Sequence, residues 1–85
     1  MKPARLLARI LAGNVTNILF SDLTGLLAAL GFTEIGGKGS HRIFARPGVA
    51  ELVNIQEDGR QVKPYQVRQI AALVRRYSFD LEDDT

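Results

Sequence analysis

From Ser21 the chain sets Leu23, Leu26, Leu27 and Leu30 at intervals of three and four, then meets Gly31. That spacing aligns the leucines on one helix face, and such a stripe has to be buried against a partner layer. Ser21 offers an N-cap oxygen, Asp22 suits the positive end of the helix dipole, and Gly31 suits the stop. Two further segments share the pattern. Leu7, Ile10 and Leu11 fall at helical spacing within residues 3–12, opened by Pro3 and closed by Gly13. Val67, Ile70, Ala71 and Val74 form a stripe behind Pro64. Between the first two helices, residues 14–20 read as a connector whose Val15, Ile18 and Phe20 tuck against the body.

The stretch between the second and third helices has a different period. Phe32 to Ile35 suits a short strand, and Gly36-Gly37-Lys38-Gly39 forms a turn, since three glycines forfeit a regular element. Ser40 to Arg46 and Glu51 to Gln56 are the next two strands, joined through Pro47-Gly48, with Asp58-Gly59 ending the meander. The order is ααβββα, which predicts an α+β domain with a three-stranded antiparallel sheet. Helices cover one face of the sheet and the other stays open.

A chain of 85 residues has room for one core. It contains no cysteine, so a disulfide staple, a thiolate zinc site and a cysteine nucleophile are all excluded. The same absence is compatible with a reducing cytosol. Apolar residues at 46% and charged residues at 24% match a soluble globular domain, and the uncharged apolar runs fall far short of a membrane span. Arg9 interrupts the one N-terminal stretch that resembles a signal peptide. The net charge of +2 conceals a split, because Asp80, Glu82, Asp83 and Asp84 crowd the last six residues. Residues 1–79 carry eleven basic side chains against five acidic ones, or +6, which suits a polyanionic partner.

Strand alternation locates the single histidine. If Phe44, Val53 and Ile55 face the helices, His41 and Ile43 face the other way, beside Leu52, Asn54 and Gln56. Pro-Gly favours a type II turn, which fits a tight hairpin poorly, so a longer loop is expected there. With that loop His41 lies opposite Gln56, and with a tight one opposite Asn54. Either amide can fix the imidazole tautomer without adding charge.

The glycine turn brings backbone N–H groups near a ligand, with Lys38, Arg42 and Arg46 close in sequence, a combination suited to phosphate. Lys63, Tyr65 and Arg68 gather at the start of the last helix, where dipole and free N–H groups favour an anion. The bland reading stands beside this one: Pro64 starts the helix, Tyr65 is a half-buried anchor, and Arg68 is solvated. Arg75 and Arg76 complement the negative end of their own helix. Walker, GxGxxG and HExxH patterns and a Ser/His/Asp arrangement are all lacking, and one histidine without cysteine cannot build a conventional zinc site. The acids are too scattered for a carboxylate metal centre, so no metal and no cofactor are expected.

Gly39-Ser40-His41 leading into Ile43-Phe44 carries a family resemblance when taken with its flanks. Leu26-Leu27-Ala28-Ala29-Leu30-Gly31-Phe32 precedes it, and Lys63-Pro64-Tyr65-Gln66-Val67-Arg68-Gln69 follows. In this order the blocks resemble the HicA toxins of bacterial toxin–antitoxin pairs. The resemblance implies a fold like the double-stranded-RNA-binding domain, mRNA cleavage in the cytoplasm, neutralisation by a HicB-like antitoxin, and a catalytic role for His41. The chain departs from the family at Asn54-Ile55-Gln56, where many such sequences carry another histidine, and at the helix over 3–12, which lies outside the family core.

The sequence therefore predicts three parts: an N-terminal helix and connector over 1–19, a HicA-like RNA-binding and cleaving domain over 20–79, and an acidic tail over 80–85. The expected activity is metal-independent endoribonuclease cleavage, with His41 catalytic and Asn54 or Gln56 beside it. Lys38, Gly39, Ser40, Arg42, Lys63, Tyr65 and Arg68 are the expected RNA contacts. The alternatives are an RNA-binding module of the same fold that does not cut, and a pure interaction protein.

Overall fold

The structure is a computed structural model describing residues 1–81. Its elements run α1 (Pro3–Leu11), α2 (Phe20–Ala29), β1 (Thr33–Gly36), β2 (His41–Ala45), β3 (Val53–Asp58), β4 (Gln61–Val62) and α3 (Pro64–Tyr77). The strands form one antiparallel meander in the order β1-β2-β3-β4. The α+β class and the additional N-terminal helix are as expected. The sheet has one strand more than predicted. Asp58-Gly59 does not end the meander but turns it back, pairing Asp58 with Gln61 and Glu57 with Val62. Two residues are too few to show a period of two, so β4 has no signature in the sequence.

The connector before α2 lies along this short strand. Val62 N–H donates to the Ile18 carbonyl at 3.0 Å, Phe20 N–H donates to the Arg60 carbonyl at 2.8 Å, and Leu19 bridges Gln61. These bonds cover an edge that would otherwise be open to another strand. They also move the start of α2. The expected N-cap, Ser21, lies inside the helix, and the cap position belongs to Leu19, which makes no side-chain capping bond. Arg60 accepts the Phe20 N–H from outside the helix, so a tertiary contact takes the place of a capping side chain.

One apolar core joins all three helices to the covered sheet face. Leu23, Leu26, Leu27 and Leu30 meet Phe44, Val53 and Ile55 in a single cluster with Val67, Ile70, Ala71 and Val74. Both expected stripes and the expected inward strand residues are thus buried. Leu6 and Ile10 of α1 belong to the same cluster at 1% exposure each, and Arg75 donates from α3 to the Leu11 carbonyl at 2.9 Å. Burying a leucine side chain contributes roughly 1.5–3 kcal/mol, so α1 is part of what stabilises the domain.

The sheet's two ends are built differently. At the end where β2 leaves and β1 enters, Tyr77 at the close of α3 donates its hydroxyl to Glu51, and Arg76 pairs with the same carboxylate at 3.2 Å. The Arg46 guanidinium lies 4.0 Å from the Phe79 ring centre, and that ring stacks on Tyr77 and meets Phe32 edge-on. Arg76 thus has a partner beyond its own helix dipole, as Arg75 does at Leu11. The loop between β2 and β3 spans residues 46–52, the longer connection expected, and the Val49 N–H returns to the Arg46 carbonyl across Pro47-Gly48. Glu82, Asp83 and Asp84 of the expected acidic tail lie outside the described residues; Asp80 uses its carboxylate on the Leu81 N–H.

Candidate active site

The opposite end of the sheet carries the histidine. Lys38 and His41 exchange both backbone hydrogen bonds at 3.1 Å, closing a hairpin whose two loop residues are Gly39 and Ser40. Gly39 sits at φ +64° in the first loop position, which is the demand a type II′ turn makes of a glycine. Gly37 is needed for a second reason. A side chain there would place its Cβ 2.3 Å from the His41 carbonyl oxygen, so the backbone of one arm lies directly against the other. The expected glycine turn is a tight, double-bonded hairpin.

The register of β2 on β3 sets His41 opposite Gln56, as the longer loop predicted. The nearest side-chain partner is nevertheless Asn54, whose Oδ1 lies 3.4 Å from His41 Nδ1. Both amides considered from the sequence therefore neighbour the histidine, one by strand pairing and one by side-chain contact. With Nδ1 facing an amide oxygen, the tautomer protonated at Nδ1 is favoured, and Nε2 is left as the basic nitrogen. The imidazole is exposed, which leaves Nε2 reachable from solvent.

Two residues that sequence reasoning passed over fix this end of the sheet. Gln66 is the only polar side chain buried with the core among the described residues, at 5% exposure, and its Oε1 accepts the Gln56 N–H at 2.9 Å. It thereby ties the start of α3 to the strand residue paired with His41. Its polar type within the apolar stripe of Val67, Ile70 and Val74 was the available signal. The second is Glu34, whose carboxylate pairs with Arg42 at 3.1 Å.

The expected RNA contacts do not all share a surface. Lys38, Gly39, His41 and Arg42 line one shallow depression with Glu34, Gly36 and Gly37. Arg42 reaches it from the other side, because strand alternation gives it the face of Phe44 while His41 takes the opposite face. Lys63 caps α3 directly after β4, whose Val62 pairs with Glu57, and the Glu57 N–H in turn donates to the Ser40 carbonyl at 3.1 Å. Lys63 and Ser40 therefore belong to the same end of the sheet. Tyr65, 48% exposed with its hydroxyl 3.4 Å from Gln66 Nε2, also lies there. Arg68 departs from this group. It lines a cleft with Ile10, Gly13, Val15, Ala71 and Arg75, toward α1, because the helix turns it about 100° away from its neighbour per residue. Leu52, expected beside His41, instead lines a cleft with Gln69, Ala72, Leu73 and Arg76 at the far end of β3.

A small antiparallel sheet, covered by helices on one face and carrying a lone exposed histidine beside a glycine hairpin on the other, defines a compact α+β domain. A family model described as HicA toxin of bacterial toxin–antitoxin systems matches residues 20–75, from the first residue of α2 nearly to the end of α3. The chain belongs to the HicA toxin family and is a toxin of a bacterial toxin–antitoxin pair. No curated protein and no solved structure matches it. α1 lies outside the matched segment yet contributes fully buried leucine and isoleucine to its core. No helix among the described residues is long and apolar enough to cross a membrane.

Proposed function

We propose that this toxin is an endoribonuclease that cleaves mRNA in the cytoplasm without a metal ion, with His41 as the general base. The observation that carries the reading is the exposed His41 imidazole, oriented through Nδ1 by Asn54 and set beside the tight glycine hairpin. Nε2 takes the proton from a ribose 2′-hydroxyl, the 2′-oxygen attacks the adjacent phosphorus, and the 5′-oxygen departs. The products are a 2′,3′-cyclic phosphate and a 5′-hydroxyl. Base catalysis supplies typically ~10²–10⁴-fold, so charge stabilisation at the phosphorane has to supply a comparable share.

Lys38 and Lys63, with Gly39, Ser40 and Tyr65, are the RNA contacts nearest the histidine, and Arg42 serves a phosphate reached around the sheet edge. Arg68 falls outside this track. A HicB-like antitoxin covers the open face and the lysines together, which blocks both the base and the substrate's charge.

The test is cleavage of a defined RNA in EDTA by wild type and His41→Ala. Wild type yields cyclic phosphate ends and the variant yields none, while both bind the RNA and melt together. Equal binding with no cleavage by wild type would leave the RNA-binding module without catalysis as the reading. Undiminished cleavage by His41→Ala would remove the histidine from the mechanism.

A further inference from the structure

The departing 5′-oxygen needs a proton, and one histidine cannot give and take in the same instant. We infer that Lys38 is the general acid, an assignment that rests on the ribonuclease reading above. Residues that flank a two-residue loop and exchange both backbone bonds have their Cα atoms about 5.5 Å apart and project their side chains to one face. Lys38 and His41 are that pair. The ammonium group and the imidazole therefore stand on the same face of the hairpin, with no residue between them.

The other cations at this end are less suited to the role. Arg42 belongs to the opposite face and is held by Glu34 at 3.1 Å, and a guanidinium, which does not give up its proton in proteins, is a poor general acid. Lys63 stands beyond β4, two strands from His41. The Lys38 ammonium has no hydrogen bond or ion pair among the described residues, so it need not break a contact to reach substrate. Its four-carbon stem and three rotatable donors let it reach past a phosphate held over the hairpin. The imidazole, restrained by Asn54, keeps to the side of the 2′-hydroxyl.

The step balances. His41 Nε2 gains the 2′-hydroxyl proton as the O2′–P bond forms, and Lys38 Nζ gives one proton to O5′ as the P–O5′ bond breaks. Water then carries a proton from the imidazolium back to the neutral amine. No oxidant, metal or further reactant enters.

The experiment uses the full chain and a synthetic oligoribonucleotide containing one mapped cleavage site, made in ordinary form and with sulfur in place of the bridging 5′-oxygen. A thiolate leaves without protonation, so the sulfur substrate no longer needs the acid. Lys38→Met is expected to lose about 10²–10⁴-fold on the ordinary RNA and to recover most of that on the sulfur RNA. Lys38→Arg, which keeps the charge but donates poorly, behaves the same way. His41→Ala stays inactive on both. Equal loss of Lys38→Met on the two substrates, full activity of Lys38→Arg on ordinary RNA, or no loss at all would overturn the assignment while leaving His41 in place. If wild type cuts neither substrate, the ribonuclease reading falls and this inference with it; if His41→Ala cuts both, the histidine leaves the mechanism and the pairing of base and acid across the hairpin is overturned.

Discussion

The two ends of the sheet use the same kinds of residue to opposite effect. At the far end, a tyrosine, two arginines, a glutamate and two phenylalanines are satisfied by one another: Tyr77 and Arg76 on Glu51, Arg46 over Phe79, and Phe79 against Phe32. At the near end, His41, Lys38, Lys63 and Tyr65 are exposed and lightly tied, and the backbone supplies the rigidity through a double-bonded hairpin and the Gln66 tether. A domain this small can thereby leave polar side chains exposed at one end of its sheet. Side chains committed to packing are unavailable to a substrate, so the near end is held by main-chain bonds and one buried amide.

The sharpest way to break this contrast is to compare truncations at the histidine and in the core. His41→Ala should remove cleavage, a loss of about 10²–10⁴-fold or more, while the thermal midpoint stays close to wild type, because the imidazole is exposed. Leu6→Ala, in a helix outside the family match, should cost about 2–5 kcal/mol in urea unfolding, because Leu6 is 1% exposed within the shared core. An unfolded His41→Ala or a silent Leu6→Ala would show the two regions to be wrongly divided.

A smaller effect tests whether the backbone holds the near end. Gly37→Ala would push a Cβ into the His41 carbonyl at a φ of +145°, so it should cost more than about 1 kcal/mol and reduce cleavage together. Gly39→Ala meets nothing within 4 Å and should bring only the conformational penalty of about 1–2 kcal/mol, with milder effect on the histidine. Equal damage to activity from the two would count against the hairpin clamp.

At the far end, the Tyr77 hydroxyl holds the Glu51 carboxyl below its usual range, with burial opposing and Arg76 adding a smaller pull in the same direction. A carboxylate whose folded pKa lies below its unfolded one adds stability above the unfolded pKa and loses it as pH falls through the folded value. Tyr77→Phe should therefore lower the thermal midpoint at pH 7, by less than Leu6→Ala, and the gap to wild type should narrow as pH drops below the ordinary carboxylate value of 4.5. A gap that is constant with pH would mean that the hydroxyl acts through something other than Glu51. The smallest effect concerns binding. Lys63→Gln should flatten the log–log salt slope of single-stranded RNA affinity by about 0.7, and Arg68→Gln should leave it unchanged.

The helices were legible because each has a stripe long enough to show its period: Leu23 to Leu30, Val67 to Val74, Leu7 and Ile10 are buried as that period requires, with Leu11 partly buried beside them. The histidine's face was legible from alternation with Phe44, since a side chain cannot change faces without a slip of register. What no local pattern could give was β4 and the start of α2 at Phe20. Each depends on a bond between distant segments: Val62 to Ile18, and Phe20 to Arg60. The sequence by itself determined the α+β class, the inward faces and the exposed histidine, because periodicity acts over neighbours. The fourth strand and the entry into α2 came only with the folded chain, because both rest on bonds between segments far apart in sequence, Val62 to Ile18 and Phe20 to Arg60.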